Sequence, residues 1–229
     1  MSQITPSLEQ TTKDALAAIN KNNKLLFFGS QKKRGPNDYA SQIRNLFGLS
    51  PYKSLSEKGL LFLAGFVEGE GSINVSIKKL QTAKFGITLD PEFSITQNVS
   101  GVSILCNALN YFQTGRIFLK EGSKGTLVFR ISNRISLEEK VVPFYQNFLD
   151  DHGSQHKRNR LNLLIAMLNA FKANKHKEID SLCDDLLPIW DDMLFFCTKK
   201  NKQVNKQNQT FANLEAAQNY VRNFKRDKM

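Results

Sequence analysis

The stretch Leu60-Leu-Phe-Leu-Ala-Gly-Phe-Val-Glu-Gly-Glu-Gly71 decides how the rest of the chain is read. Ser54 stands three residues ahead of Glu57, a capping-box spacing in which each side chain satisfies a backbone N–H of the other residue, so a helix is predicted to enter there. The interior, with Leu60, Leu61, Phe62, Leu63, Phe66 and Val67, is apolar on most sides, which predicts neighbours all round and not the single stripe of a surface helix. Gly65 and Gly69 stand four apart, next to Ala64, and a glycine inside a helix costs about 1 kcal/mol relative to alanine. Close approach by another helix offsets that cost, as small residues at this spacing allow between membrane helices. The run itself is shorter than the roughly 20 apolar residues of a membrane span. Glu68-Gly69-Glu70-Gly71 then stops the helix. It leaves two carboxylates at the negative end of the dipole with no basic partner nearby in sequence. Such carboxylates point to an external cation, and hard oxygen ligands suit Mg2+.

Length and charge bound the partners. A chain of 229 residues, 41% hydrophobic, holds a real core, and its net charge of +11 with a pI near 9.6 points to a polyanion, a nucleic acid or an acidic membrane surface. Cys106, Cys183 and Cys197 have no CxxC spacing and an odd count, which supports neither a zinc site nor a disulfide framework and implies a reducing compartment. No run is long enough to cross a membrane, and Glu9 and Asp14 set the first residues apart from an acid-poor transit peptide.

Downstream of the glycine helix, Ser72-Ile-Asn-Val-Ser-Ile-Lys78 alternates strictly, which predicts a half-buried strand with Ile73, Val75 and Ile77 inward. Ser72, Asn74, Ser76 and Lys78 then form a row able to read base edges, although a solvated face would look the same. A second strand is predicted from Phe85 to Val99, bent at Asp90-Pro91, with Phe93 and Ile95 inward, Thr88 and Ser94 outward, and Gln97 and Asn98 at its end. A short helix from Gly101 to Phe112 precedes strands Arg116–Lys120 and Thr126–Ile131, joined by the glycine hairpin Glu121–Gly125. Arg116, Phe118 and Lys120 share one face, as do Thr126, Val128 and Arg130; the parity of the last strand stays open, because Phe129 and Ile131 are the better core residues. Four antiparallel strands with one face of Asn, Ser, Lys, Arg and Thr fit a DNA saddle.

Leu63-Ala-Gly-Phe-Val-Glu-Gly-Glu-Gly71 resembles the signature of the LAGLIDADG homing endonucleases, with Glu in place of both Asp. The order helix, strand, strand, helix, strand, strand, helix over about residues 54 to 172 is similar to that family's core, and Asp90-Pro-Glu-Phe, Ser136-Leu-Glu-Glu-Lys140, Val142-Pro-Phe-Tyr145 and Leu187-Pro-Ile-Trp-Asp191 add to the likeness. Single-motif members from group I introns of organellar large-subunit rRNA genes are the nearest type. The resemblance implies an α+β fold, αββαββα with a four-stranded antiparallel DNA-binding saddle, and three regions: an N-terminal helical extension 1–53, an endonuclease core 54–172 and a C-terminal helical region and tail 173–229. It further implies that Glu70 binds Mg2+ with help from the Gly69 carbonyl and that Gln97 positions water. The resemblance also implies a basic residue, Lys157 among the neighbours Arg158 and Arg160, that offsets charge near the scissile phosphate. Mn2+ is the expected substitute, and Ca2+ is expected to support binding without cleavage. Gly101 occupies the place of an arginine found in some relatives.

One motif per chain, with packing through Leu61, Ala64, Gly65, Glu68 and Gly69, implies a homodimer about a twofold axis. The partner is then a long, pseudo-palindromic double-stranded DNA and no membrane. An organelle-encoded protein of the chloroplast or mitochondrion follows from the resemblance. The reading is a site-specific, Mg2+-dependent endonuclease promoting intron mobility; an intron maturase, or a non-cleaving nucleic-acid-binding protein on the same fold, is the alternative.

The remaining segments carry less. The loop Lys32-Lys-Arg34 is either a phosphate contact or a solvated turn. Ser136–Asp150 is predicted to be helical and broken at Pro143. His152 and His156 stand four apart in a Gly-Ser loop, where solvated histidines fit better than a metal pair. Lys157, Arg158 and Arg160 lead into a helix Leu161–Phe171 as candidate phosphate contacts. Glu178–Phe196 is a helical segment interrupted by Pro188 with Trp190 as its largest buried group, Lys199–Thr210 is a polar linker, and Leu214–Phe224 is a final short helix.

Overall fold

The computed structural model of the protein describes residues 55–123, 125–198 and 210–225, with Lys13, Ala17, Arg44, Asn45, Phe47 and Leu49 ahead of them. The predicted N-terminal helices, the loop at Lys32–Arg34, the linker at 199–209 and the cap at Ser54 lie outside the described residues. Contacts group the chain into two compact units, one of Met1–Ser72 with Phe93–Ser136 and one of Ile73–Glu92 with Leu137–Met229. A four-stranded sheet of order β1-β2-β4-β3 is built from β1 (Gly71–Lys79), β2 (Ile87–Asn98), β3 (Arg116–Leu119) and β4 (Thr126–Ile131). The fold is α+β, and no described helix is long and apolar enough to cross a membrane.

In the first unit, helix α1 (Glu57–Glu70) begins two residues later than the capping box predicts. Ser56 is its cap, and the Ser56 Oγ accepts from the Gly59 N–H at 3.2 Å. A turn at Val99–Gly101 leads into α2 (Val102–Phe112), whose last turn closes on Gln113 at φ 50°. β2 and β3 pair antiparallel with β4 in a register that places Phe93 opposite Ile131 and Ile95 opposite Phe129, with Phe129 in turn opposite Ile117. These are the core-facing rows. Phe93, Phe112 and Phe129 pack with ring centroids 5.4–6.4 Å apart, edge-on or stacked, the arrangement aromatic quadrupoles favour. The register also fixes the parity of β4. Phe129 and Ile131 point inward, and Thr126, Val128 and Arg130 take the other face. From the N-terminal region, Arg44 donates to Asn107 of α2 and Phe47 is buried.

The second unit holds the rest of β1 and the start of β2, which runs unbroken through Asp90-Pro91 with Pro91 facing inward. Its helices are α3 (Val142–Phe148), α4 (Gln155–Lys172), α5 (Leu187–Thr198) and α6 (Leu214–Asn223). The predicted breaks fall slightly off the prolines. Pro143 and Pro188 each stand in the first turn of their helix, where a missing N–H costs nothing, and the irregularity is a π-type turn just ahead of each, Leu137–Val141 and Leu182–Leu186. α4 starts six residues earlier than predicted because Ser154 caps it by accepting from the Lys157 N–H at 3.3 Å. Trp190 is buried, as its size predicts.

Candidate active site and nucleic-acid face

Among the described residues, helix α1 is covered on one side and bare on the other. Leu63, Ala64 and Val67 are buried, whereas Leu61 and Phe62 are 58% and 60% exposed and Gly65 and Gly69 are open. A Cβ added at Gly65 or at Gly69 meets nothing within 4 Å. Among the described residues, the arc carrying Leu61, Gly65 and Gly69 has no cover, so the neighbours predicted on that side are not met there, and Phe62 stacks on Phe66 of its own helix at 6.4 Å. Ala64 leaves the expected interface set, since its side chain packs inward. Glu68 is half-buried.

Glu70 is the last residue of α1 and is exposed. The turn after it is tight. Gly71 donates its N–H to the Val67 carbonyl, and a Cβ at Gly71 would lie 2.5 Å from that oxygen, so only glycine passes directly from helix into strand here. Gln97, at the end of β2, folds over Gly101, where an added Cβ would meet the Gln97 Cγ at 2.6 Å. The Gln97 Oε1 accepts from the Asn98 N–H at 2.6 Å, and its amide nitrogen lies over Gly101 as well, 3.1 Å from where a Cβ would stand. Gln97 thus fills the space that a long side chain at position 101 would need.

Across β2, β4 and β3 the outward rows read Ser94, Arg130, Arg116 and then Thr96, Val128, Phe118. Asn98 lies opposite Thr126, and the Lys120 N–H donates to the Thr126 carbonyl. Val128 shares this face but is only 6% exposed, so it supports its neighbours and offers little surface. Arg116 and Arg130 are cross-strand partners of like charge, a destabilising pair on a solvated sheet. Phe118 offsets part of that cost, with the Arg130 guanidinium 4.7 Å and the Arg116 guanidinium 5.8 Å from its ring centre. Two guanidinia held side by side on an aromatic ring make a surface suited to an anion or to a base edge rich in acceptors.

On β1, Ser72 and Lys78 are exposed and Asn74 and Ser76 half-buried on the outward face, with Thr88 half-buried on β2. The Asn74 Oδ1 is buried without a hydrogen-bond partner among the described residues, which costs about 1–3 kcal/mol. A donor from a bound molecule would relieve that cost. Two acids missed in the sequence share this face. Asp90 pairs with Lys78 at 2.8 Å and Glu92 lies one step along.

Three basic candidates separate sharply on α4. Lys157 is half-buried in the first turn, and that turn holds no acid to balance the dipole. Arg158 staples the preceding loop, donating to the Asp150 carbonyl at 3.2 Å, to the Gly153 carbonyl and to Gln155 Oε1. Arg160 is 4% exposed and donates to the Ile73 carbonyl from both Nε, at 2.7 Å, and Nη2, and to the Met193 carbonyl from Nη1 at 3.3 Å. It is corrected from a phosphate contact to a buried structural cation. The signal was present in the sequence, because Arg160 stands four before Leu164 on the buried stripe of the helix.

Among the described residues no group of three or more His, Cys, Asp or Glu side chains assembles. His152 and His156 are exposed. Cys106 and Cys183 are buried free thiols, and burial pushes the Cys106 thiol up to about 12, far from a nucleophilic thiolate.

A LAGLIDADG endonuclease family model matches residues 63–157, from the buried side of α1 to the start of α4. DNA endonuclease I-CeuI of Chlamydomonas moewusii is 43% identical over 218 residues, 95% of this chain and 94% of the relative. The chain belongs to the LAGLIDADG endonuclease family. A solved structure of the group I intron-encoded homing endonuclease I-CeuI complexed with DNA superposes with a TM-score of 0.74 at 38% identity, covering 96% of this LAGLIDADG chain and 100% of that one. The archaeal intron-encoded homing endonuclease I-Vdi141I complexed with DNA gives 0.60 at 25% identity over 72% of this chain and 96% of its own.

Proposed function

We propose that this LAGLIDADG endonuclease is a homodimeric, Mg2+-dependent homing endonuclease that cuts both strands of a long, pseudo-palindromic DNA and so promotes mobility of a group I intron, at a large-subunit rRNA gene of a chloroplast or mitochondrion. Residues 54–172 form the endonuclease core in this reading, with 1–53 and 173–229 as its extensions. The observation that carries it is the bare arc of α1 ending in an exposed Glu70: among the described residues the helix lacks cover on the side that its glycines leave open, and its last residue is a carboxylate at the start of the DNA-facing strand.

The donor chemistry fits a hard divalent cation. Mg2+ takes one or two carboxylates and keeps several waters or phosphate oxygens, so one Glu70 carboxylate with the Gly69 carbonyl is a sufficient share from each chain. Bound there, the ion supplies polarisation of a phosphate oxygen and a lowered pKa for its water. The chain's own residues do the rest. Arg116, Arg130 and Lys120 hold the DNA backbone and bases, Ser72, Asn74, Ser76, Thr88, Ser94 and Thr126 offer hydrogen bonds to base edges, and Lys78 does so once it leaves Asp90. The Gln97 amide orients water, and Lys157 offsets phosphate charge. Mn2+ substitutes for Mg2+, and Ca2+ supports binding alone.

The test is digestion of a randomised DNA library with Mg2+ and mapping of the cut ends. A long consensus with twofold character, cut on both strands at fixed offsets, is expected; cutting without a consensus, or a consensus with no twofold character, would overturn the homodimeric reading.

A further inference from the structure

The C-terminal segment docks on the turn that joins β1 to β2. Along β1 the inward row Ile73, Val75, Ile77 continues to Lys79, whose Nζ sits 4.9 Å from the ring centres of both Phe211 and Tyr220. Phe211 and Tyr220 pack on each other at 5.2 Å, and Tyr220 packs on Phe224 at 5.9 Å. The Phe224 ring lies against Gly86, at φ 73°, so closely that a Cβ there would come within 2.4 Å of it. Thr210 Oγ1 donates to the Ile77 carbonyl at 2.8 Å. The segment is anchored in turn: Gln218 donates to the Cys183 carbonyl, Arg222 pairs with Asp180 at 2.9 Å and Asp184 at 3.0 Å, and Ala217 and Val221 are buried. From another side, Lys84 in the turn donates to the Lys177 carbonyl at 2.7 Å.

A hairpin turn of seven residues, Leu80 to Gly86, whose Leu80, Gln81, Thr82 and Lys84 are exposed, has little hydrophobic contact of its own to fix it. The aromatic cluster supplies what it lacks. We propose that Thr210–Phe224 is a clasp that sets the position of the β1–β2 turn and thereby the sequence discrimination of the enzyme at the outer base pairs of its target. The proposal rests on the polar sheet face lying against DNA. β1 carries its turn roughly 26 Å from Gly71 at ~3.3 Å per residue. At ~3.4 Å per base pair this is about eight base pairs along the duplex. Lys79, Phe211 and Tyr220 are positioning residues in this account, since they act through the turn and not on the DNA.

The experiment uses the full chain and the target recovered from library digestion, with every base pair substituted in turn. Phe211→Ala and Tyr220→Leu are expected to lower discrimination about fivefold or more at positions beyond roughly the sixth from the cut, the worth of a lost base contact. Discrimination nearer the cut, and the single-turnover rate on the parent target, are expected to stay at parent values. Tyr220→Phe, which keeps the ring, should restore the parent profile. Should Phe211→Ala fail to fold, Lys79→Met removes the caged cation alone and is read the same way. An even loss of discrimination at all positions, or an unchanged profile in Tyr220→Leu and Lys79→Met, would overturn the clasp. Arg130→Ala serves as the separate control: if it leaves affinity and profile untouched, the sheet face itself is misassigned.

Discussion

Gly65→Leu separates what a single chain needs from what the proposed pair needs. Among the described residues of one chain, Gly65 is exposed and an added Cβ meets nothing within 4 Å, so the leucine has room. It also replaces the poorest ordinary helix former with one of the best, which favours α1 by about 0.8–1 kcal/mol. The folded protomer is therefore expected to be as stable as the parent or slightly more so. Against a second α1 the sign reverses. A side chain forced into a close helix crossing costs typically ~1–3 kcal/mol, and a twofold axis applies the cost twice. The total of about 2–6 kcal/mol weakens the dimer some 30-fold to 10^4-fold. Sedimentation over a concentration series reads the dimer constant, and circular dichroism with thermal melting reads the fold. A Gly65→Leu protein with the parent's dimer constant would refute packing through this face; one that fails to fold as a monomer would refute the bare arc itself.

Arg160→Met should destabilise the fold by about 2–5 kcal/mol, because the Ile73 and Met193 carbonyls lose their buried donors, and denaturant titration checks it. Near-parent stability in that variant would mean that the guanidinium is dispensable in the core. Asp191 has its pKa raised by burial first and by Asp192 second, so the folded state holds its proton more tightly than the unfolded chain and stability falls as pH rises through the window above 3.8. Asp191→Asn should accordingly raise Tm at neutral pH and lose that advantage below about pH 4; an advantage that persisted in acid would assign the effect elsewhere.

The sheet was legible because alternation survives wherever one face is buried: Ile73, Val75 and Ile77 against Ser72, Asn74 and Ser76, and likewise Phe93 and Ile95 against Ser94. The β4 parity was not, since Val128 fits either face, and only pairing of Phe129 with Ile95 and Ile117 decides it. The glycine helix was identified correctly in place and sense, and the cover that its pattern predicts for Leu61 and Phe62 is not found among the described residues, because a one-dimensional pattern does not say whether an apolar residue meets its own chain or another. Arg160 was misread for the opposite reason. Three basic residues within four positions look like a phosphate patch, yet their helical phases send one into the core, one onto loop carbonyls and one to the first turn. The C-terminal aromatics Phe211, Tyr220 and Phe224 carry no sign in sequence that their site is a lysine and a glycine more than a hundred residues earlier.

The central claim, that Glu70 holds the cation on which cleavage depends while the sheet supplies affinity, is tested most directly by Glu70→Gln, which keeps the shape and removes the charge. Target affinity measured in Ca2+ by gel shift and cleavage measured in Mg2+ should part company. Binding should stay near the parent value, as phosphate and base contacts dominate it, and cleavage should nearly vanish, with Glu68→Gln the milder of the two. A Glu70→Gln enzyme that cuts at close to the parent rate would contradict the account and place the active site elsewhere.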